Sequence, residues 1–545
     1  MTTIIFPTAK VVTKDLQGVG RLPAIIYPID QMRMIDLFYE YYFIEMRIDG
    51  FFEIVAHEEF EQVMRRIGKR ERVSIHKVDE IKDIGYTILW GMKQIAFSDS
   101  DKVIINFSDV AELGHFEERI EDRCYYTKED ISSRWTFFKH KNGTIAEYFD
   151  KPKSAVGIGT NDMLIGLFHI EKPKIFRDLL EIAQSKKNGL DSFWVALKEY
   201  SQIRPFNMIC TDEWFDIGHI DKYYDMQMAI KSRTFNHITI DRSRGILKKT
   251  SDEKEKFIGE IKWYLKLPND VEYARPRIFS YSTSYAEPYV SMEYYAYHTL
   301  HEVFLFGDLS DEQWKNIFRR VRFILNDFKR YTVKDSGIKE SLKEMYVDKT
   351  IDRLMQMEGV DGFPNYNEIL CVNGVNYQPL KLLCKILKEV IEQRLMKVEE
   401  FSIIHGDLCF SNIMIDPNYS FIKLIDPRGR FGRYDIYGDR RYELAKLMHS
   451  IDGKYDYIIK EKFSDEEGYG NTISYKIDYD QSADIEDCFY HVFEEEFVKE
   501  GNDIRLIEAL LFFSMLPLHS ESLRQQRVML GTAISIMDNV CNIRV

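Results

Sequence analysis

From Ile403 to Gly429 the chain reads IIHGDLCFSNIMIDPNYSFIKLIDPRG, which sets two carboxylates and one amide in the order that phosphoryl transfer from ATP requires. The apolar run Phe401 to Ile404 delivers His405, Gly406 and Asp407 into a turn, and Asn412 comes five residues after Asp407. At that spacing Asp407 reaches an acceptor hydroxyl while the amide oxygen of Asn412 reaches a magnesium ion on the nucleotide phosphates. Two short β runs, Ile413 to Ile415 and Phe421 to Ile425, joined by the turn DPNYS, predict a hairpin that ends on Asp426, the second metal carboxylate. A lone HGD would read as an ordinary turn, with Asp426 capping a loop. The Asn spacing and the strand-ending Asp together favour the chemistry.

The same residues carry a family likeness. HGDLCFSN followed by LIDPRG resembles the aminoglycoside phosphotransferase and choline kinase group, small-molecule relatives of the protein kinases, with His in place of their His-Arg pair. The resemblance implies ATP as donor, a small alcohol or sugar as acceptor, Asp407 as catalytic base, and Asn412 and Asp426 as magnesium ligands. One departure is that Gly429 stands three residues after Asp426 and not two, so the switch behaviour of the kinase DFG segment is not carried over.

The elements that must position these groups read as a bilobal kinase layout. From Thr234 the pattern is antiparallel β: FNHITID, a DRSRG turn, GILKKTS, a helix from Asp252 to Leu267, ARPRIFSY, and the strand PYVSMEYY. Alternation along Gly245 to Ser251 puts Leu247 and Lys249 on one face and Lys248 on the other. Lys249 paired with Glu260 of the next helix is the expected holder of the α- and β-phosphates, with Lys248 as the alternative. No GxGxxG precedes that strand. SRTFN, Ser232 to Asn236, occupies its place and would cover phosphates with Ser232 and backbone amides, and Met292 to Tyr295 resembles the adenine-gripping hinge, with Glu293 and Tyr295 as nucleotide-binding candidates. Beyond Tyr295 amphipathic helices are predicted at Asp311 to Phe328, Ile338 to Met357, Pro379 to Met396 and Arg441 to Ile451. GDRRYELAKL resembles the group's structural Asp and helix, which makes Asp439 a stabiliser of the Asp407 loop. Arg428, Arg430 and Arg433 either read an anionic acceptor or form surface ion pairs, the latter being favoured.

The first ~225 residues alternate short β runs with helices, the pattern of an α/β domain. Several segments resemble the sugar-phosphate nucleotidyltransferases, and in the same order: LPAIIYPIDQMRMID, GYTILWGMKQI, VIINFSDV, YFDKPK, GIGTNDMLIGLFHI and WFDIGHIDKYYDM. That resemblance implies a Rossmann-like nucleotide-binding fold, a second nucleoside triphosphate (CTP or UTP), a magnesium ion shared by Asp109 and Asp216, and Lys151 on the sugar or its phosphate. Taken alone, Asp109 also reads as the cap of a helix over AELGHFEERI. The Gly-rich, Arg-bearing phosphate loop of that family is missing. IIFPTAKVVTKDLQGVGRLPA offers only Gly18, Gly20 and Arg21, and Ala24 stands where the family has Lys. Either this domain transfers nucleotides with a modified loop, or it has become a binding or scaffold unit.

Composition bounds the rest. With 545 residues, 45% hydrophobic and 30% charged, the chain is globular and long enough for several cores, read as residues 1–225, 226–300 and 301–545. A formal charge of −14 without a basic block argues against nucleic acid as partner. Seven cysteines without a CxxC pair indicate neither zinc site nor disulfide framework and suit a reducing cytoplasm; no signal peptide or membrane span is read, and an oligomer is compatible with the sequence. The longest apolar tract, Ala509 to Leu518, reads as a buried helix. The combined expectation is a cytoplasmic bifunctional enzyme supplying activated precursors of surface polysaccharide or lipid, as the resemblances imply. Its alternative is a kinase with a noncatalytic, nucleotide-sugar-binding amino-terminal domain.

Overall fold

The computed structural model describes residues 1–29, 32–112, 121–130, 134–152, 161–185, 191–219, 223, 238–241, 243–465 and 470–545. The chain divides into two compact units, Met1–Lys231 and Ser232–Val545. The boundary expected between 225 and 226, and the SRTFN segment with Ser232, lie outside the described residues.

The first unit is built on a nine-stranded mixed sheet. Strand Thr2–Thr8 is buried along its whole length, as an apolar run covered on both faces of a parallel sheet should be. It pairs in parallel with Gly50–Ala56 on one side and Lys102–Asn106 on the other, while Gly50–Ala56 pairs in parallel with Val73–Lys77. The strand order therefore reverses between Thr2–Thr8 and Lys102–Asn106, and a sheet of this kind binds ligands outside the carboxyl ends of the strands at that switch point. Asn161–Ile170 continues the sheet antiparallel to Lys102–Asn106. Directly after Asp109 the chain is extended and not helical. Val110–Glu112 is a strand, paired antiparallel with Trp214–Asp216 so that Val110 faces Asp216. This removes the helix-cap reading of Asp109.

The second unit begins with a four-stranded antiparallel sheet in the order Ile238–Asp241, Ile246–Thr250, Tyr289–Glu293, Ile278–Ser282. The helix Lys254–Lys266 comes after the second strand, and the rest is largely helical, which is the α+β bilobal layout of a protein kinase. The expected hairpin is present as Ile413–Ile415 and Ile422–Leu424, with Ile413 opposite Leu424. Its turn is fixed by Asp416, whose carboxylate accepts the amides of Asn418 at 3.1 Å, Ser420 at 2.6 Å and Phe421 at 2.6 Å. Two predicted helices differ. Ile338 to Met357 forms two α segments, Gly337–Leu342 and Lys349–Met355, around a π-helical turn, Lys343–Asp348. Ala509 to Leu518 is the buried end of Glu494–Met515, which stops before Pro517 and passes into the 3-10 turn Leu516–His519.

One face of Lys254–Lys266 fastens the sheet to the loops that carry Asp407 and Asp426. Trp263, wholly buried, donates its indole N–H to the Ile404 carbonyl at 2.7 Å, and the Tyr264 hydroxyl accepts the Asp426 amide at 3.0 Å. One turn earlier Gly259 lies against Gly429. A Cβ on Gly429 would sit 2.2 Å from the Gly259 carbonyl carbon, and Gly429 has a φ of +66°. The three-residue spacing of Gly429 from Asp426 thus serves a backbone-to-backbone approach. Gly429→Ala combines a left-handed φ with an overlap against backbone, and is expected to cost about 2 kcal/mol or more. Denaturant unfolding should show a lowered midpoint for the second unit, and an unchanged midpoint would contradict the contact.

Candidate functional site

In the second unit the groups singled out from the sequence converge. Lys249 donates to both Glu260 oxygens, at 3.0 and 3.1 Å, and to Asp426 Oδ1 at 2.8 Å. Burial opposes its charge, but Asp426 and Glu260 outweigh burial and hold its pKa above the ordinary value. Lys248, on the opposite face of the strand, lies over the Tyr289 ring at 4.6 Å, so it is Lys249 that meets Glu260 and Asp426. Asp426 itself has a φ of +54°, a left-handed conformation that Asp tolerates better than most residues.

Asn412 and Asp407 are coupled directly. The Asn412 Nδ2 donates to the Asp407 carbonyl at 2.8 Å and to its Oδ2 at 3.2 Å. With Nδ2 so committed, Asn412 Oδ1 accepts, among the described residues, only the Ser411 hydroxyl at 3.3 Å and keeps capacity for a cation, and half of the Asp426 side chain is exposed. These donors fit magnesium, although among the described residues no group of three or more His, Cys, Asp or Glu side chains is arranged around a metal. Two protein ligands with nucleotide oxygens completing the octahedron is the usual arrangement for this ion.

The loop is held from beneath by residues that spacing and family likeness do not single out. Glu443 accepts the amides of His405 at 2.8 Å and Gly406 at 2.9 Å. Asp439, expected to do this, does not: it caps the helix Arg440–Ile451 through the Arg441 amide, and it binds the Arg441 guanidinium and the Tyr346 hydroxyl. The signal lies in the same GDRRYELAKL stretch, one helical turn further on. His405 is buried, which pushes its pKa down to about 4, and the neutral ring donates Nε2–H to the Ile425 carbonyl at 2.9 Å. The Asp407 loop is thereby tied to the strand that presents Asp426. Lys446, likewise absent from the expected set, donates to Asp407 Oδ1 at 2.8 Å. Burial pushes the Asp407 carboxyl up, but Lys446 more than offsets it and brings the pKa to about 2.

The three arginines split. Arg430 pairs with Glu344 and Arg433 with Asp335, as surface ion pairs, whereas Arg428 donates to the Tyr442 hydroxyl at 2.9 Å. Glu293 and Tyr295 bond to each other at 2.7 Å, and the Tyr294 amide at the expected hinge donates to the Gly245 carbonyl at 2.8 Å.

In the first unit a cleft of about 580 Å³ opens at the switch point, lined among others by Thr8, Ala9, Asp109, Lys151 and Asp216. Both carboxylates converge over Gly218, where a Cβ would lie 3.0 Å from Asp109 Oδ2 and 3.0 Å from Asp216 Oδ1. Burial, and then the Asp216 carboxylate beside it, push Asp109 up to about 7. A cation between the two would relieve that repulsion, so the pair fits a magnesium ion. Asp216 is oriented by the Gly218 amide at 2.6 Å, the Trp135 indole at 3.2 Å and His219 Nδ1 at 2.7 Å. Where a phosphate loop would lie, the chain forms the 3-10 turn Lys14–Val19 with Leu16 and Val19 buried, and Arg21 faces Glu58 at 3.6 Å and Glu59 at 3.4 Å.

No family model matches the chain, and no curated protein matches it. Solved structures resemble it in parts. CTP:phosphocholine cytidylyltransferase from Streptococcus pneumoniae matches 42% of this chain and 98% of its own, at 13% identity and a TM-score of 0.33. The inositol-1-phosphate CTP transferase from T. maritima matches 42% of this chain and 96% of its own, at 14% identity and a TM-score of 0.29. The apo form of a thermostable aminoglycoside phosphotransferase mutant matches 57% of this chain and 98% of its own, at 10% identity and a TM-score of 0.37. The first two cover the amino-terminal region and the third the carboxy-terminal region.

Removing the Lys446 ammonium removes the largest of the groups that favour the ionised Asp407 carboxylate. In Lys446→Met the Asp407 carboxyl should titrate at least about two units higher than in the parent, which carbonyl NMR of labelled Asp would resolve. In the parent the ion pair stabilises the fold above the ordinary Asp value, and that contribution fades as the pH falls through about 2. An Asp407 that titrates identically in both proteins would contradict the pairing.

Proposed function

We propose that the second unit is an ATP-dependent kinase of a small alcohol or sugar. The observation that carries this reading is that two hydrogen-bonded groups, Lys249 with Glu260 and Asp426 and Asp407 with Asn412, are joined by the Ile425 amide, which donates to the Asn412 carbonyl at 3.0 Å. Lys249, oriented by Glu260, binds the α- and β-phosphates and exchanges its contact with Asp426 for them. Asn412 and Asp426 would hold magnesium, which when bound neutralises charge on the phosphates. Asp407, kept ionised by Lys446, orients the acceptor hydroxyl in line with the γ-phosphate and receives its proton. A carboxylate with a pKa of about 2 is a weak base, so its principal contribution is positioning, with proton transfer completed late. Asp407→Asn should abolish turnover of ATP with its acceptor, by about 100-fold or more, while sparing ATP binding. Retained turnover would overturn the assignment.

The first unit is proposed to bind a nucleotide at Asp109, Asp216 and Lys151 and to attach it to a phosphorylated product, giving an activated precursor of the kind used for surface polysaccharides or lipids. A second reading, binding without transfer, is favoured by one observation: Arg21, the arginine left where the family has its phosphate loop, is turned onto Glu58 and Glu59. Pyrophosphate release from CTP or UTP with sugar and alcohol phosphates discriminates them. Transfer predicts release that Asp216→Ala eliminates, whereas binding alone predicts no release in the parent and nucleotide affinity that Asp216→Ala weakens.

A further inference from the structure

Asp407 opens onto a cleft of about 1210 Å³ in the second unit. Five cations in its wall have, among the described residues, no hydrogen-bonded carboxylate: Lys254, which donates to the Ala286 carbonyl at 2.9 Å, the exposed Lys262, and Lys349, Arg353 and Arg428. Lys349 makes no side-chain hydrogen bond or ion pair there; Arg353 donates to the Ser514 carbonyl at 2.7 Å; Arg428 donates to the Tyr442 hydroxyl at 2.9 Å. Several other charges around the same cleft are matched. Glu253 pairs with Lys256, Glu344 with Arg430, and Asp435 with Lys266, while Lys446 already answers Asp407.

Local geometry places Lys349, Arg353 and Arg428 together. Lys349 and Arg353 lie four residues apart on one helical face, Lys349–Met355, and the π-helical turn Lys343–Asp348 immediately before it resets the register of that face. Burial comes first, followed by Arg428, Arg353 and Lys446, in drawing the Lys349 pKa well below the ordinary value, so the four cations lie within one another's electrostatic reach. Partly buried like charges without counter-ions are costly, and a site that keeps them is organised for an anion that arrives with a ligand. The same cleft has an apolar side, formed by Leu511, Met515 and Leu518, of which Leu518 is 57% exposed.

We propose that the acceptor is an anionic alcohol, a hydroxyl-bearing carbon skeleton with a carboxylate or phosphate group that Lys349, Arg353 and Arg428 bind while its hydroxyl meets Asp407. This rests on the kinase reading for the hydroxyl and on the cation cluster alone for the anion. The donor phosphates belong to Lys249 and Asp426, so the cluster is not needed to hold ATP.

Calorimetric titration of the full chain with glucose, glucosamine, glucuronate and glucose-6-phosphate separates the sources of charge. At least one of the two anionic sugars should bind tenfold or more tightly than glucose, with glucosamine no better than glucose. Lys349→Met and Arg353→Met should each weaken the anionic sugar tenfold or more, Lys349→Arg should restore most of it, and ATP with magnesium should bind all of them as it binds the parent. Lys349→Met keeps side-chain length and removes an unpaired charge, and its melting should be at least as high as the parent's, which guards against misfolding as the cause. Binding of glucose or glucosamine equal to that of the anions, no binding by any of the four, unchanged affinity in Lys349→Met, or an equal loss of ATP affinity would overturn the proposal. If the parent binds the anionic sugar through Lys349 but fails to bind ATP with magnesium, the anion site stands and the kinase reading fails.

Discussion

The second unit depends on one face of the helix Lys254–Lys266. Glu260 holds Lys249 of the sheet, Tyr264 receives the Asp426 amide, Trp263 is bonded to the strand entering the Asp407 loop, and Gly259 admits the backbone of Gly429. These positions fall on adjacent turns of a single surface, so one rigid element sets the relation between Lys249 and the Asp407 and Asp426 loops. Trp263 also packs edge-on against His405, at 5.4 Å between centroids, so the buried histidine that links the Asp407 loop to Ile425 is positioned by the same helix.

Electrostatics give the two units opposite characters. Asp407 is a partly exposed carboxylate already matched by Lys446, and Lys349, Arg353 and Arg428 leave positive charge over in its cleft. In the first unit the charge left over is negative: Asp109 and Asp216 face each other, and His219 and Trp135 are hydrogen-bonded to Asp216. The first arrangement is prepared for an anion and the second for a cation, without any bound species to define them. Both place the unmatched charge at the bottom of a cleft, where the dielectric screening that weakens surface pairs is reduced.

Much of this is legible in the chain because local chemistry and spacing determine it. The strand alternation that separates Lys249 from Lys248, the five-residue step from Asp407 to Asn412, and the hairpin that ends at Asp426 are properties of short segments, and the structure has each of them. Contacts between distant segments are not legible in this way. Glu443 and Lys446 act on the Asp407 loop from a helix whose sequence shows only an ordinary amphipathic mix, and Asp439 is singled out instead because GDRRYELAKL resembles a segment with a structural Asp. Lys349 and Arg353 lie within the predicted helix Ile338 to Met357 without any local signal, and the π-helical turn and the packing around Ser514 place them at the cleft. Asp109 reads equally well as a helix cap because a short strand paired to a segment far along the chain leaves no periodic signal.

The central claim is that Asp426, Asn412 and Lys249 form a magnesium-dependent nucleotide site. Thermal unfolding with ATP, with and without magnesium, in the parent and in Asp426→Asn tests it before any acceptor is known. At ~100 times the dissociation constant, ATP with magnesium should stabilise the second unit by about 2.7 kcal/mol. That gain should vanish without magnesium and in Asp426→Asn. Stabilisation of both proteins alike, or no stabilisation of the parent, would contradict the account.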